Sequence, residues 1–216
     1  MNWETTYRLF IKPCYGIVRG TKGAGVPGPG NRGNMVMSKT FDIIKQQAVC
    51  FTGHRIIKSS HVQRLPGVVI NAIVKLHERG YTQFLAGGAL GFDALAAQCV
   101  IKAKERFPDI KLILFLPCQD QTKKWNQSDI LVYEKIKAQA DKVIYTSEQY
   151  TRDCMFVRNR ALVDNSSYCV SYQYKQSGGT SYTVKYAQSK GMTVYNTADR
   201  LEELLFKYKK CKVVAR

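Results

Sequence analysis

The stretch "TQFLAGGALGFDALAAQCVIKAKERF", residues 82–107, decides the fold. It opens with a short apolar run and breaks on Gly87, Gly88 and Gly91. It then restarts with Phe92, Leu95, Ala96, Cys99, Val100 and Ala103 at helical spacing. A strand that ends in glycines and restarts as a helix leaves backbone N–H groups exposed at the helix start. The helix dipole favours an anion at that point. The loop has no lysine to meet a terminal phosphate and no Ser/Thr to meet magnesium, which argues against a triphosphate-binding P-loop.

The same alternation extends in both directions. Upstream, "AVCFTGHR" (48–55) reads as a buried strand that opens into a polar loop. "LPGVVINAIVKLHERG" (65–80) is a helix with Val69, Ala72, Ile73 and Leu76 on one face, stopping at Gly80. Downstream come the strand "IKLILFLPC" (110–118), the helix "SDILVYEKIKAQA" (128–140) and the strand "DKVIYTS" (141–147). A short helix is expected around "RNRALVDN" (158–165). The strand "SYCVSYQY" (167–174), a helix, the strand "MTVYNT" (192–197) and a last helix on Leu201, Leu204, Leu205 and Tyr208 complete the order. Strand and helix alternate about six times, and the strands are near-continuous apolar runs. Both features predict an α/β, Rossmann-like, doubly wound and mostly parallel sheet flanked by helices on both faces.

One domain is expected over residues 48–210. The first 47 residues, with "GIVRGTKGAGVPGPGNRGN" (16–34), lack periodicity and read as a flexible Gly/Pro-containing extension. Met35 and Met37 follow it, and either is a candidate natural start. Residues 211–216 read as a basic tail.

Bulk properties narrow the function classes. No apolar run approaches the roughly 20 residues needed to span a bilayer, and the N-terminus is a poor signal peptide, so a cytoplasmic protein without a membrane partner is expected. Seven cysteines, at 14, 50, 99, 118, 154, 169 and 211, are odd in number and form no C-x-x-C pair. They read as reduced thiols, not as a disulfide framework. Three dispersed histidines leave no metal-ligand spacing, and no metal site is expected. The net charge of +17 favours anionic partners and raises nucleic acid as one, although much of the excess is spread over helix faces.

Four polar segments would gather at one edge of a parallel sheet. They are Gly53, His54 and Arg55; Gly87, Gly88, Ala89, Gly91 and Asp93; Arg158, Asn159 and Arg160; and Ser177, Gly178, Gly179, Thr180 and Ser181. The glycine amides of the second and fourth segments are expected to take phosphate, with Thr180 and Ser181 adding hydroxyls and Arg55 and Arg158 adding charge. Asp93 has two readings, a ribose contact or a helix cap. His54 reads as an oriented loop residue more readily than as a catalyst. No committed acid, base or nucleophile is visible, so no catalytic residue is assigned. A nucleotide-sized anion site follows, and a homodimer is compatible with it.

"CFTGHR", "GGALGFDALAA", "LPCQDQTKKWNQSD", "RNRALVDNS" and "SGGTSYTVKYAQSKG", in this order and spacing, resemble the YpsA-like family of the SLOG superfamily over about residues 48–199. The resemblance implies a Rossmann-like domain that binds a nucleotide or a nucleotide-derived ligand, such as ADP-ribose or an NAD-like molecule. Sensing or regulation is then expected in place of turnover. One departure is Cys118, where the family pattern has an aromatic residue after the proline. Two related branches supply the alternatives. The DprA/Smf-like branch binds single-stranded nucleic acid and has an arginine where Leu90 stands. The cytokinin-activating phosphoribohydrolases carry a glutamate one turn after their glycine loop, where this chain has Val184 and Lys185. Cleavage of an N-glycosidic bond needs such a carboxylate, which makes the hydrolase reading the weakest of the three.

Overall fold

A computed structural model describes residues 41–214. The expected extension and its two candidate start methionines lie outside the described residues, as do residues 215 and 216. The strands are β1 (Ala48–Gly53), β2 (Gln83–Ala86), β3 (Lys111–Leu116), β4 (Lys142–Tyr145), β5 (Tyr168–Tyr172) and β6 (Thr193–Asn196). The helices are α1 (Ser59–Val62), α2 (Leu65–His77), α3 (Phe92–Lys104), α4 (Gln127–Ala138), α5 (Cys154–Asp164), α6 (Gly178–Ser189) and α7 (Thr197–Val214). Every strand pairing is parallel, and the sheet order is β4-β3-β2-β1-β5-β6. This is the doubly wound Rossmann-like sheet that the apolar runs predict.

The sheet order reverses at β1, because the chain first builds outward to β4 and then returns to place β5 on the other side. The crevice beyond the carboxyl ends of β1 and β5 is therefore the topological switch point, where open α/β sheets place their ligands. One face packs Val49, Phe51, Phe84, Leu112 and Leu114 against α2, α3 and α7. The other packs Cys50, Leu85, Ile113 and Cys169 against Leu162 and Val163 of α5 and Ala187 of α6. Phe41 and Ile43 join this second face, so the packed unit begins ahead of residue 48. At the other end α7 runs on to Val214, through part of the expected tail. Cys50, Cys99, Cys118, Cys154 and Cys169 are buried free thiols that fill the core, Cys118 included. Burial pushes the Cys99 thiol up to about 12, which leaves it inert at neutral pH.

A polar chain that runs from the buried Tyr172 and His61 out to the exposed Glu202 and the half-buried Lys58 ties the β1 loop to α7. Tyr172 Oη accepts from the Lys58 backbone N–H at 3.1 Å and lies 3.0 Å from His61 Nδ1. On its other side His61 Nε2 lies 3.1 Å from Glu202, which also takes Lys58 Nζ at 2.8 Å. The tyrosine hydroxyl has one proton to give, so His61 accepts it at Nδ1 and donates from Nε2 as a neutral ring. Burial holds the His61 pKa below its ordinary value, against the pull of Glu202. The unfolded chain therefore takes up a proton that the folded chain resists. The stability this gives is complete above the unfolded pKa of about 6.5 and is lost as pH falls through the lower folded value. His61→Gln should flatten the stability profile below about pH 6.5, read as urea midpoints across a pH series. An unchanged slope would show that His61 does not carry it.

Candidate functional site

The first segment is shaped by what crosses it. A Cβ on Gly53 would lie 2.4 Å from the Phe92 ring, so the end of β1 must be glycine for the first residue of α3 to pack over it. Phe92 is fully buried, stacked on Tyr172 at 5.6 Å between ring centroids. His54 then connects three loops. Its N–H donates to the Tyr172 carbonyl at 3.1 Å, and its carbonyl accepts from the Phe92 N–H at 3.3 Å. Its Nε2 accepts from the Lys175 N–H at 3.1 Å, and its ring meets Tyr174 edge-on at 4.4 Å. Burial and the Lys175 charge lower its pKa. His54 is thus held in place by the end of β5, the start of α3 and the segment after β5.

The glycine loop of residues 87–91 is occupied by the protein's own carboxylate. Asp93 Oδ2 accepts from Arg158 Nη1 at 3.0 Å, and both side chains are only 7% exposed. Burial raises the Asp93 pKa, while Arg158 and the Ala89 and Gly87 backbone amides favour its charged form. The pair lies directly over Gly87, where a Cβ would fall 1.2 Å from Arg158 Nη1. Asp93 is the second residue of α3, whose cap position is Gly91, and no side chain accepts there. The cap reading of Asp93 is therefore replaced by an ion pair that joins α3 to α5. Gly91 has φ +82°, and a Cβ on it would meet the Arg55 carbonyl at 2.1 Å, so this turn is closed to other residues. Arg55 itself is exposed.

The start of α6 is open by contrast. Ser177 occupies the cap position, yet its hydroxyl accepts nothing from the helix, and the first turn has no acidic residue. Gly178 has φ +83° with no atom within 4 Å of its Cβ position, and at Gly179 the nearest is Asn159 Nδ2 at 3.8 Å. Thr180 and Ser181 are buried, and Ser181 Oγ has no hydrogen-bond partner. Arg158 Nε, also buried, has none either. The helix around "RNRALVDN" starts earlier than expected, at Cys154, and this sets the three polar residues apart. Arg158 turns to Asp93, Asn159 lies near Gly179, and Arg160 leaves for the surface, where it donates to Tyr182 Oη at 3.2 Å.

A cavity of about 310 Å³ flanks the glycine loop on the α4 side, lined by Arg55, Leu90, Trp125, Asp129 and Tyr133 among others. Trp125 meets Tyr133 edge-on at 5.5 Å. Gln121 reaches the Gly88 carbonyl from the loop after β3, at 3.4 Å. Sequence reasoning did not single out Gln121 or Asp129 as site residues. Their signal was the "LPCQDQTKKWNQSD" segment, whose place beyond β3 sets it at the same edge.

The family model described as the YspA SLOG family matches residues 52–201. The chain belongs to the YspA SLOG family. Among its relatives is a UPF0398 protein of Bacillus cereus (strain ATCC 14579), 26% identical over 155 residues, spanning 67% of this chain and 84% of that protein. A UPF0398 protein of Bacillus thuringiensis (strain Al Hakam) shows the same identity and coverage. In fold the chain is similar to DNA processing protein A from Helicobacter pylori, a protein described as binding single-stranded DNA. The TM-score is 0.51 and the identity 18%, over 72% of this chain and 71% of that one. DNA processing protein A from Streptococcus pneumoniae is similar with a TM-score of 0.51 and 15% identity, over 76% of this chain and 57% of that one. In the SLOG chain described here, Leu90 lines the cavity beside the glycine loop. Among the described residues no His, Cys, Asp and Glu group could hold a metal, and no helix is long and apolar enough to cross a membrane.

Proposed function

We propose that this SLOG chain binds a nucleotide or nucleotide-derived phosphate at the β1/β5 crevice and works as a sensor or regulator. The observation that carries the reading is the uncapped start of α6, open over Gly178 and Gly179 and backed by the unpartnered Ser181 Oγ. Backbone amides and a hydroxyl at a helix N-terminus match a phosphate in charge and geometry. The loop after β2 plays a different part from the one its glycines suggest. Asp93 and Arg158 fill the space over Gly87, so the phosphate falls to α6, and the cavity at Trp125 is of a size to take a base. A regulatory role fits the carboxylate inventory. Asp93 is held by Arg158, the turn after the α6 glycines carries Val184 and Lys185, and Asp129 at the neighbouring cavity accepts from Asn126 Nδ2 at 2.8 Å.

The net charge of +17 and the likeness to a single-stranded DNA-binding protein support a second reading, single-stranded nucleic acid across the same edge. Calorimetric titration with AMP, ADP-ribose, NAD and a single-stranded oligonucleotide separates the two. One-site binding of a mononucleotide-sized ligand is expected, with no free base released on incubation. Oligonucleotide binding with a steep salt slope and no mononucleotide binding would overturn the first reading in favour of the second.

A further inference from the structure

A second concave surface lies apart from the glycine loops and shares none of their residues. It is a groove of about 410 Å³ between α2 and α7, floored by the β5 and β6 side of the sheet. Five cations line it, Arg64, Lys75, Arg79, Arg200 and Lys207, and no carboxylate does. Three tyrosines line it as well, Tyr168, Tyr195 and Tyr208. The cations are partly arranged by the rings, with the Arg79 guanidinium 5.5 Å from the Tyr168 centroid and that of Arg64 5.3 Å from Tyr208. Arg200 is paired with Glu203 at 2.8 Å, whereas Lys75 and Lys207 have no ion-pair partner among the described residues.

We propose that this groove binds single-stranded nucleic acid, with phosphates on the Lys75, Arg79 and Lys207 side chains and bases against the tyrosines. Charge complementarity selects a polyanion. A second copy of this chain would bring five cations against five, which disfavours self-association through this face. The spacing of the cations selects an extended strand over a lone nucleotide. At 1.5 Å rise per residue, Arg64 and Arg79 at the two ends of α2 stand about 20 Å apart, a length of several nucleotides. Aromatic rings set among cations match the alternation of base and phosphate along an unpaired strand, whose bases are free to stack.

The test is fluorescence anisotropy of a labelled 15-nucleotide oligo-dT strand against the full chain, at several salt concentrations, with a duplex of equal length alongside. Lys75→Glu with Lys207→Glu, two exposed positions, should weaken strand binding at least tenfold and lower the log–log salt slope by about two. Tyr168→Leu, which keeps apolar packing but removes the stacking ring, should weaken it by about fivefold or more. Gly179→Asp at the α6 start should leave it unchanged, which separates this groove from the nucleotide site. Wild-type binding in a correctly folded double variant, judged by its circular dichroism, would overturn the proposal. So would a duplex bound as tightly as the strand, loss of strand binding in Gly179→Asp alone, or no strand binding by the wild-type chain.

Discussion

Asp93→Ala should lower the unfolding free energy by about 3–5 kcal/mol, because it leaves the Arg158 guanidinium buried without its counter-charge. For a chain of this size that is a fall in melting temperature of roughly 10 °C. The loss does not measure the net worth of the pair. Both partners gave up hydration to reach 7% exposure, and burial raises the Asp93 pKa against the pull of Arg158. Removing both charges, as Asp93→Ala with Arg158→Met, should therefore recover much of the lost stability. Urea unfolding of the wild type, both single variants and the double variant completes the cycle. A single-variant loss under about 1 kcal/mol would mean that water or a rearranged loop satisfies Arg158, and that the pair is not what joins α3 to α5.

Gly179→Asp should weaken binding of the phosphate ligand by about 2–4 kcal/mol, roughly 30- to 1000-fold, while leaving the fold intact. Position 179 is the second residue of α6, its φ is not in the left-handed region, and the nearest atom to an added Cβ is 3.8 Å away. An aspartate there also favours the helix dipole, so melting temperature should stay level or rise slightly. The same carboxylate sits where the phosphate is proposed to sit, and repels it. Stability and binding are thus expected to move in different directions, which a merely structural glycine would not produce. Unchanged affinity for every mononucleotide that binds the wild type would remove α6 from the site. Reduced stability with reduced affinity would point instead to a backbone requirement at 179.

Part of this architecture could be read from local pattern. The glycines of "FLAGGALGFDALA" mark the end of β2 and the start of α3 because a strand period and a helix period meet there. The apolar runs read as parallel strands for the same reason, and the four inner ones, β1, β2, β3 and β5, are buried between helices on both faces, while the edge strands β4 and β6 stay partly exposed. The gathering of four polar segments at one edge followed from parallel topology alone. Partner choice could not be read this way. Asp93 is 65 positions from Arg158, and either residue alone is compatible with a cap, a ribose contact or a phosphate clamp. The helix that carries Arg158, Asn159 and Arg160 turns them to three different places, and its first turn, Cys154 to Val157, is an unbroken apolar run with no helical periodicity to announce it. His61 is a similar case, since its partners come from β5 and α7, over 100 positions away.

The sequence by itself determined the alternation of elements, the parallel sheet and the edge where the polar segments gather. These depend on periodicity and on the backbone freedom of glycine, both local properties. Tertiary structure alone decided which glycine loop holds the protein's own carboxylate and which stays open. The Arg158 guanidinium, brought over Gly87 by the return of the chain across β1, holds Asp93 in the first loop, so that loop carries its own carboxylate. The α6 loop has no such residue within reach and stays open. Charge pairing in a buried space depends on distances of a few ångströms between residues far apart in the chain, and only the packed sheet sets those.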